Sequence, residues 1–344
     1  MAVENCFWNY FQGCHINKDN FKKWLFYMSM VINMQKSTKK TFPYIVLNLL
    51  DSTEILRIPS NDFFQDAKKI LTKFQDRHEN CITFPKINSK SKRISTILSQ
   101  GTSTSKEDIQ VILQDSRILM DRDMCSSINS QHGVNSILLH ASRATNFTYR
   151  IEEYNFSDEE IETINNIDSR TKIIDRVNVI LHKGGRLVFY KADSATFNTT
   201  LQMMDCDLAK LIAQLLLEQF KTGNRMISEL TVDLVNDNPL DYKVENLQSI
   251  YAFKLKHFLR SVALGMKPYK TWTGHYDAKG GYLIVKKDGE ILCYNFYNHN
   301  SFEDFIFRNA YLEHSMTSRY GSGSLYRGED GNVYFKLNLQ IRLK

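Results

Sequence analysis

The stretch "SSINSQHGVNSILLHASRATNFTYRI", residues 126–151, decides how the chain is read. It predicts a strand, a tight connection, a short apolar run and a second strand. Its centre is dense in Ser, Asn, Gln and Thr. Such short side chains can satisfy a loop's own backbone. They can equally let the loop approach a polar ligand, and Asn or Arg can read base edges in bidentate fashion. Both readings of Ser142, Arg143, Thr145 and Asn146 stay open on residue type alone.

Upstream, "SKEDIQVILQDSRILMDRDMCSSINSQ" places Asp108 at the start of a strand. A turn follows, then a second, antiparallel strand carrying Ser127, Asn129 and Gln131. Metal-dependent nucleases use this layout. One carboxylate at a strand end holds Mg²⁺, a cation that needs hard oxygen ligands and keeps some of its waters. The second strand offers alternate side chains to the same face, commonly a polar residue and then a lysine two positions on. The lysine orients the attacking water and offsets charge on the scissile phosphate. Asn129 stands where that layout wants a charge. The bland alternative for Asp108 is a solvated turn residue.

Downstream, "SMTSRYGSGSLYRGEDG" sets Thr317, Ser318, Arg319 and Tyr320 in a glycine- and serine-rich loop. Such a loop can follow a phosphate backbone through hydroxyls and N–H groups, or it can be an ordinary connection. Its glycines match neither a dinucleotide nor a P-loop pattern. There is no G-x-S-x-G elbow. His132, His140, His257 and His275 are scattered, without metal or triad spacing.

Further out, periodicity predicts a helical N-terminal segment over 1–45, with Trp24, Phe26, Tyr27, Met30, Val31 and Met34 on one face. A strand pair is expected around Asp51–Thr53, then a helix from Ser60. "SDEEIETINNI" reads as a helix with carboxylates in its first turn. "LQMMDCDLAKLIAQLLLEQFKTG" reads as one helix closed by Gly223, and "SIYAFKLKHFLRSVALG" as another closed by Gly265. Hairpins are expected at Lys287–Gly289 and at Asp330–Gly331, with a helix capped by Ser301 between them. These elements predict an α/β (α+β mixed) fold: a central mixed sheet flanked by helices, in a single unit over 1–344. Within it, 50–265 reads as the core and 270–344 as a β-rich C-terminal region.

The bulk properties agree with a folded soluble chain. The 344 residues are 42% hydrophobic and 12% aromatic, with a net charge of +6 that permits a polyanion partner without requiring one. The six cysteines form no CxxC pair, so reduced thiols are expected rather than zinc or disulfides. No signal peptide and no membrane span is read, and the expected location is cytoplasmic.

Several ordered blocks resemble the HpaII family of type II restriction endonucleases, whose founding specificity is duplex CCGG. "STSKEDIQVILQD" is similar to that family's serine-rich lead into an Asp-Ile strand. "SINSQHGVNSILLHASRATNF" resembles the family's "SIKSQLGS" and "LLNASGATNF" elements. "FLRSVALGM", "YDAKGGYLIVKKDGEILCY" and "FKLNLQIR" are similar to family segments, and "TSRYGSG" stands at the family's "TSRH". The resemblance covers about residues 50 to 344.

It implies a restriction-endonuclease-like core and Mg²⁺-dependent cleavage of duplex DNA. Asp108 is then the metal ligand. Asp108, Ser127, Asn129 and Gln131 form the catalytic region. The segments Ser142–Asn146 and Thr317–Tyr320 become DNA contacts. A homodimer and a cognate DNA methyltransferase are the implied partners, with no membrane. Three departures stand out. Asn129 replaces the family lysine of "SIKSQ", and losing a catalytic proton-transfer group costs on the order of 10²–10⁴ in rate. The family's acidic "KGEWSE"-like N-terminal stretch has no counterpart, Glu4 being the only nearby acid, which implies a truncated or diverged start. Arg143 stands where the family tends to have glycine, and could restore the missing positive charge.

Overall fold

The computed structural model describes residues 16–17, 44–48, 54–59, 81–82, 109–115, 120–130, 137–278, 281–285, 291–295, 299–314 and 320–344. In chain order the strands begin with β1 (Ile16–Asn17), β2 (Tyr44–Asn48), β3 (Glu54–Pro59), β4 (Cys81–Ile82), β5 (Ile109–Asp115) and β6 (Met120–Ser130). There follow β7 (Ile137–Leu139), β8 (Asn146–Glu152), helices α1 (Asp158–Asn165) and α2 (Lys172–His182), and β9 (Arg186–Ala192). Four helices come next: α3 (Ala195–Met204), α4 (Leu208–Thr222), α5 (Ile227–Asp237) and α6 (Leu247–Leu264). The chain ends with β10 (Gly281–Val285), β11 (Ile291–Asn295), α7 (His299–Asn309), β12 (Ala310–Leu312), β13 (Leu325–Arg327), β14 (Val333–Asn338) and β15 (Ile341–Leu343).

The fold is mixed α/β. Two compact units make it up: Met1–Val134 with Tyr276–His299, and Asn135–His275 with Asn300–Lys344. In the first unit a four-stranded sheet has the order β11-β10-β6-β5. β5 and β6 pair antiparallel, with Ile109 opposite Ser126. β10 and β11 form the expected hairpin. β10 runs parallel to β6, pairing Tyr282 with Ser127 and Ile284 with Asn129. A parallel pair cannot be closed by a short turn; here residues 135–275 intervene in the chain. The expected pair β2–β3 is also present, antiparallel.

In the second unit β8 is central to an antiparallel sheet of order β13-β14-β8-β9. Its sequence alternates as a half-covered strand should. Phe147, Tyr149 and Ile151 are buried on the core side, and Phe147 meets Phe197 edge-on at 6.2 Å. The Tyr149 hydroxyl donates to the Ala213 carbonyl at 2.6 Å, and burial raises its pKa. α4 is buried on nearly every side, as a helix apolar all round must be. A second antiparallel sheet, β12-β15-β7, completes this unit.

Three expectations change. The single helix expected over 201–223 is two helices, broken at Asp205, whose backbone is extended. The Asp205 carboxylate accepts the Asp207 N–H at 2.9 Å and pairs with Lys254, so a side chain that competes with helical backbone bonding ends the first helix. α7 begins at His299, which puts Ser301 inside the helix rather than at its cap. The end of the same segment, Ala310–Leu312, is a strand paired with β15. Within the helical segment expected over 1–45, Ile16–Asn17 is a strand paired with Cys81–Ile82, and the last two residues open strand β2. The rest of that segment's helix, the helix expected from Ser60, and Asp51–Thr53 lie outside the described residues.

Candidate functional site

In the first unit, β6 carries two of the four residues read as catalytic, Ser127 and Asn129. It is an inner strand: β5 pairs with it up to Ser126, and β10 pairs with it from Ser126 to Ser130, which fixes the register of the "SIN" segment. Ser127 is 6% exposed and pairs with Tyr282 on β10, itself buried, while its chain neighbour Ser126 pairs with Ile109 on β5. Asn129 sits in the strand opposite Ile284. Asp108 and Gln131 lie outside the described residues. The residue that follows Asp108 in the chain, Ile109, is the first of β5.

In the second unit, two loops far apart in sequence are tied together. Ser142 to Asn146 leads into β8 through a one-turn 3-10 helix at Arg143–Thr145. Thr145 is fully buried; its hydroxyl accepts the Ser142 N–H at 3.0 Å and lies 3.1 Å from the Ser142 carbonyl, to which it donates. Asn146 is 4% exposed, and its Nδ2 donates to the Tyr320 carbonyl at 2.9 Å. Asn338, at the end of β14, donates through Nδ2 to the Ser142 carbonyl and to Asn146 Oδ1, both at 2.7 Å. Buried amides fully used in this way rigidify what they hold. What they hold outward is Arg143, which is exposed and makes no ion pair among the described residues, and half-buried Ser142.

The turn at Tyr320 is held with comparable care. Tyr320 has φ +64°, a left-handed conformation uncommon for a residue with a Cβ. Buried Arg176 reaches the same turn. Its guanidinium donates to the carbonyls of Gly323 at 2.7 Å and Ile167 at 2.9 Å, and to that of Asn165. Burial lowers its pKa. Asn165 in turn grips Leu325 twice, accepting its N–H and donating to its carbonyl, each at 2.9 Å. Strained residues persist only where their surroundings over-determine them, and they cluster at functional sites.

The structure thus brings together Ser142, Arg143, Thr145, Asn146 and Tyr320 of the residues read as DNA contacts. Thr145 and Asn146 spend their side chains on protein groups, so the exposed members are Arg143 and Tyr320. Thr317, Ser318 and Arg319 lie outside the described residues. Asn338, Asn165 and Arg176 were not singled out from sequence. The signal for Asn338 was an amide closing the alternating run "VYFKLN", two positions beyond Lys336 on one face.

No helix among the described residues is long and apolar enough to cross a membrane. A family model described as HpaII restriction endonuclease matches residues 16–343. The type II restriction enzyme HpaII of Haemophilus parainfluenzae is 35% identical over 292 residues, spanning 85% of this chain and 80% of that enzyme. No solved structure matches. The chain belongs to the HpaII restriction endonuclease family.

Proposed function

We propose that the protein is a type II restriction endonuclease that binds duplex DNA at CCGG and hydrolyses a phosphodiester bond there with Mg²⁺. The observation that carries this reading is the register of β5, β6 and β10. The strand bearing Ser127 and Asn129 lies inside a mixed sheet, and the residue after Asp108 pairs beside Ser127.

Asp108 supplies a carboxylate, the hard oxygen donor Mg²⁺ prefers, and Mg²⁺ sites commonly use one or two carboxylates plus substrate phosphates. Asp108, which lies outside the described residues, is the ligand this reading rests on. A bound Mg²⁺ would offset phosphate charge and make a coordinated water more acidic. Asn129 can hold a water by hydrogen bonding, but it can neither take its proton nor carry charge. Arg143 and the Tyr320 turn bind the duplex in this scheme. A palindromic site is matched by two-fold protein symmetry, so a homodimer is the proposed assembly. A cognate methyltransferase would protect the host, and cytoplasmic DNA would be the target.

One residue favours a second reading, a DNA-binding relative impaired in cleavage: Asn129 in place of the family lysine. Cleavage of unmethylated plasmid carrying CCGG sites, in Mg²⁺ and then Mn²⁺, with wild type beside Asn129→Lys, decides between them. Site-specific cutting by wild type supports the endonuclease. Cutting by the lysine variant alone supports the impaired relative. If wild type cuts, Arg143→Gly tests whether Arg143 supplies the missing charge: lost cutting supports that role, and full activity refutes it.

A further inference from the structure

β9 is an edge strand with a bulge. Phe189 pairs with Tyr149 and Lys191 with Thr148, which leaves Tyr190 as the extra residue. A regular pleat sends neighbouring side chains to opposite faces. The bulge breaks that alternation. Leu187 and Ala192 are buried, and Phe189 packs 6.2 Å from Phe147 on the core side. Tyr190 and Lys191, adjacent in sequence, both remain open on the other side, Tyr190 being 50% exposed.

That side of the sheet has a consistent chemistry. The Tyr190 ring lies 5.1 Å from that of Tyr334, which in turn stacks on Tyr326 at 5.6 Å. Lys191 sits over Tyr190 at 5.7 Å, and Lys336 over Tyr326 at 5.0 Å. The carboxylates of this face are already engaged. Glu152 is paired with Arg150 and Arg186, Asp193 with Lys336 at 3.0 Å, and Asp330 accepts from Tyr334 and Asn332. Lys191 makes no ion pair among the described residues. Thr148, its cross-strand partner, is two residues along β8 from Asn146, roughly 7 Å at the usual rise. Lys191 and Arg143, which have no carboxylate partner among the described residues, therefore stand at the same end of this sheet, with an exposed tyrosine beside one and the Tyr320 turn beside the other.

We infer that this face is a track for the sugar-phosphate backbone of duplex DNA flanking the recognition site, with Lys191 meeting a phosphate and Tyr190 lying along the backbone. The inference rests on the reading of DNA as substrate and extends it to a surface that carries no base specificity. Phosphate contacts set register and add a salt-dependent term common to all sequences.

The test is equilibrium binding of the full chain to a CCGG duplex and to a scrambled duplex of about two helical turns, across a salt series. Lys191→Ala is expected to weaken both by the same factor, about three- to tenfold, and to flatten the salt slope by about one. Lys191→Glu weakens both further. Tyr190→Ala weakens both, with Tyr190→Phe keeping the ring to separate contact from folding. The exposed position of Lys191 predicts an unchanged unfolding midpoint for its variants. If the Lys191 variants bind like wild type while Arg143→Ala binds less, the face is not a contact and the DNA reading stands. A loss confined to the CCGG duplex would make Lys191 a specificity contact and overturn the backbone role. Wild type that binds neither duplex overturns both.

Discussion

Asn338 carries more of the candidate interface than its place at the end of a short strand suggests. One amide nitrogen serves both the Ser142 carbonyl and Asn146 Oδ1, while Asn146 reaches on to the Tyr320 carbonyl. Removing it takes the donor from buried Asn146 Oδ1, at about 1–3 kcal/mol, and one donor from the Ser142 carbonyl, which Thr145 still serves. Asn338→Ala is therefore expected to lower the unfolding free energy by about 1–3 kcal/mol, read from urea denaturation, and to weaken DNA binding by loosening the Arg143 loop. Unchanged stability would mean that the network is not what holds the two loops together. At this scale the sequence marked two segments that the structure ties together, but not which of their side chains do the tying. Ser, Thr and Asn look alike in a loop whether they touch a ligand or their own backbone. Only burial separates Thr145 and Asn146, turned inward, from Arg143, turned outward. The fastening partners lie 147 to 196 residues away, beyond the reach of any local pattern.

Among the elements, those with strong local chemistry were legible. α1 follows a capping box written in its sequence. Ser157 accepts the Glu160 N–H at 3.2 Å, and the Glu160 carboxylate accepts the Ser157 N–H at 2.9 Å. Ser157→Ala is expected to cost about 1 kcal/mol. The Glu160 carboxylate also accepts from Lys183 at 2.7 Å and Tyr154 at 2.9 Å, and these bonds, Lys183 first, push its pKa down to about 2. A carboxyl depressed in the folded state contributes stability above its ordinary value of 4.5, and loses it as pH falls toward 2. Thermal midpoints across that window should fall less steeply in Glu160→Gln than in wild type, and parallel curves would refute the linkage. His314 acts in an earlier window. It stacks on Phe220 at 5.1 Å, and burial, then the nearby Arg225 charge, lowers its pKa from 6.5. The unfolded chain then binds the proton first, so stability falls as pH drops below 6.5. His314→Phe, which keeps a ring against Phe220, should flatten that upper window alone. The hairpins were legible through their Asp-Gly turns, and α4 through Gly223, whose φ of +75° favours glycine. The break at Asp205 was not legible, because the apolar period runs through it and the pair with Lys254 on α6 is tertiary.

The whole molecule sets one demand that neither residues nor elements meet alone. Residues read as catalytic lie in the first unit and residues read as DNA contacts in the second, on a chain that crosses between them around residues 134–135 and 275–276 and again near residue 300. The parallel pairing of β10 with β6 was hidden in the sequence, because a parallel neighbour leaves no turn signature between its strands. The antiparallel pairs within that sheet, β5 with β6 and β10 with β11, by contrast followed from the runs themselves. If duplex DNA is the substrate, binding must stabilise the folded chain whether or not cleavage survives, because only the folded state presents both sets of residues. A ligand at about 100 times its Kd adds about 2.7 kcal/mol by mass action. A CCGG duplex at that ratio is thus expected to raise the unfolding midpoint by several degrees, for wild type and Asn129→Lys alike when each is held at that multiple of its own Kd. The rise should shrink steeply between about 50 and 200 mM salt as counterion release weakens affinity. An equal rise with scrambled duplex would remove the case for CCGG, and no rise with either duplex would remove the case for DNA. A rise with CCGG in both proteins, with cleavage confined to the lysine variant, would locate the divergence of this chain from its family at a single side chain on β6.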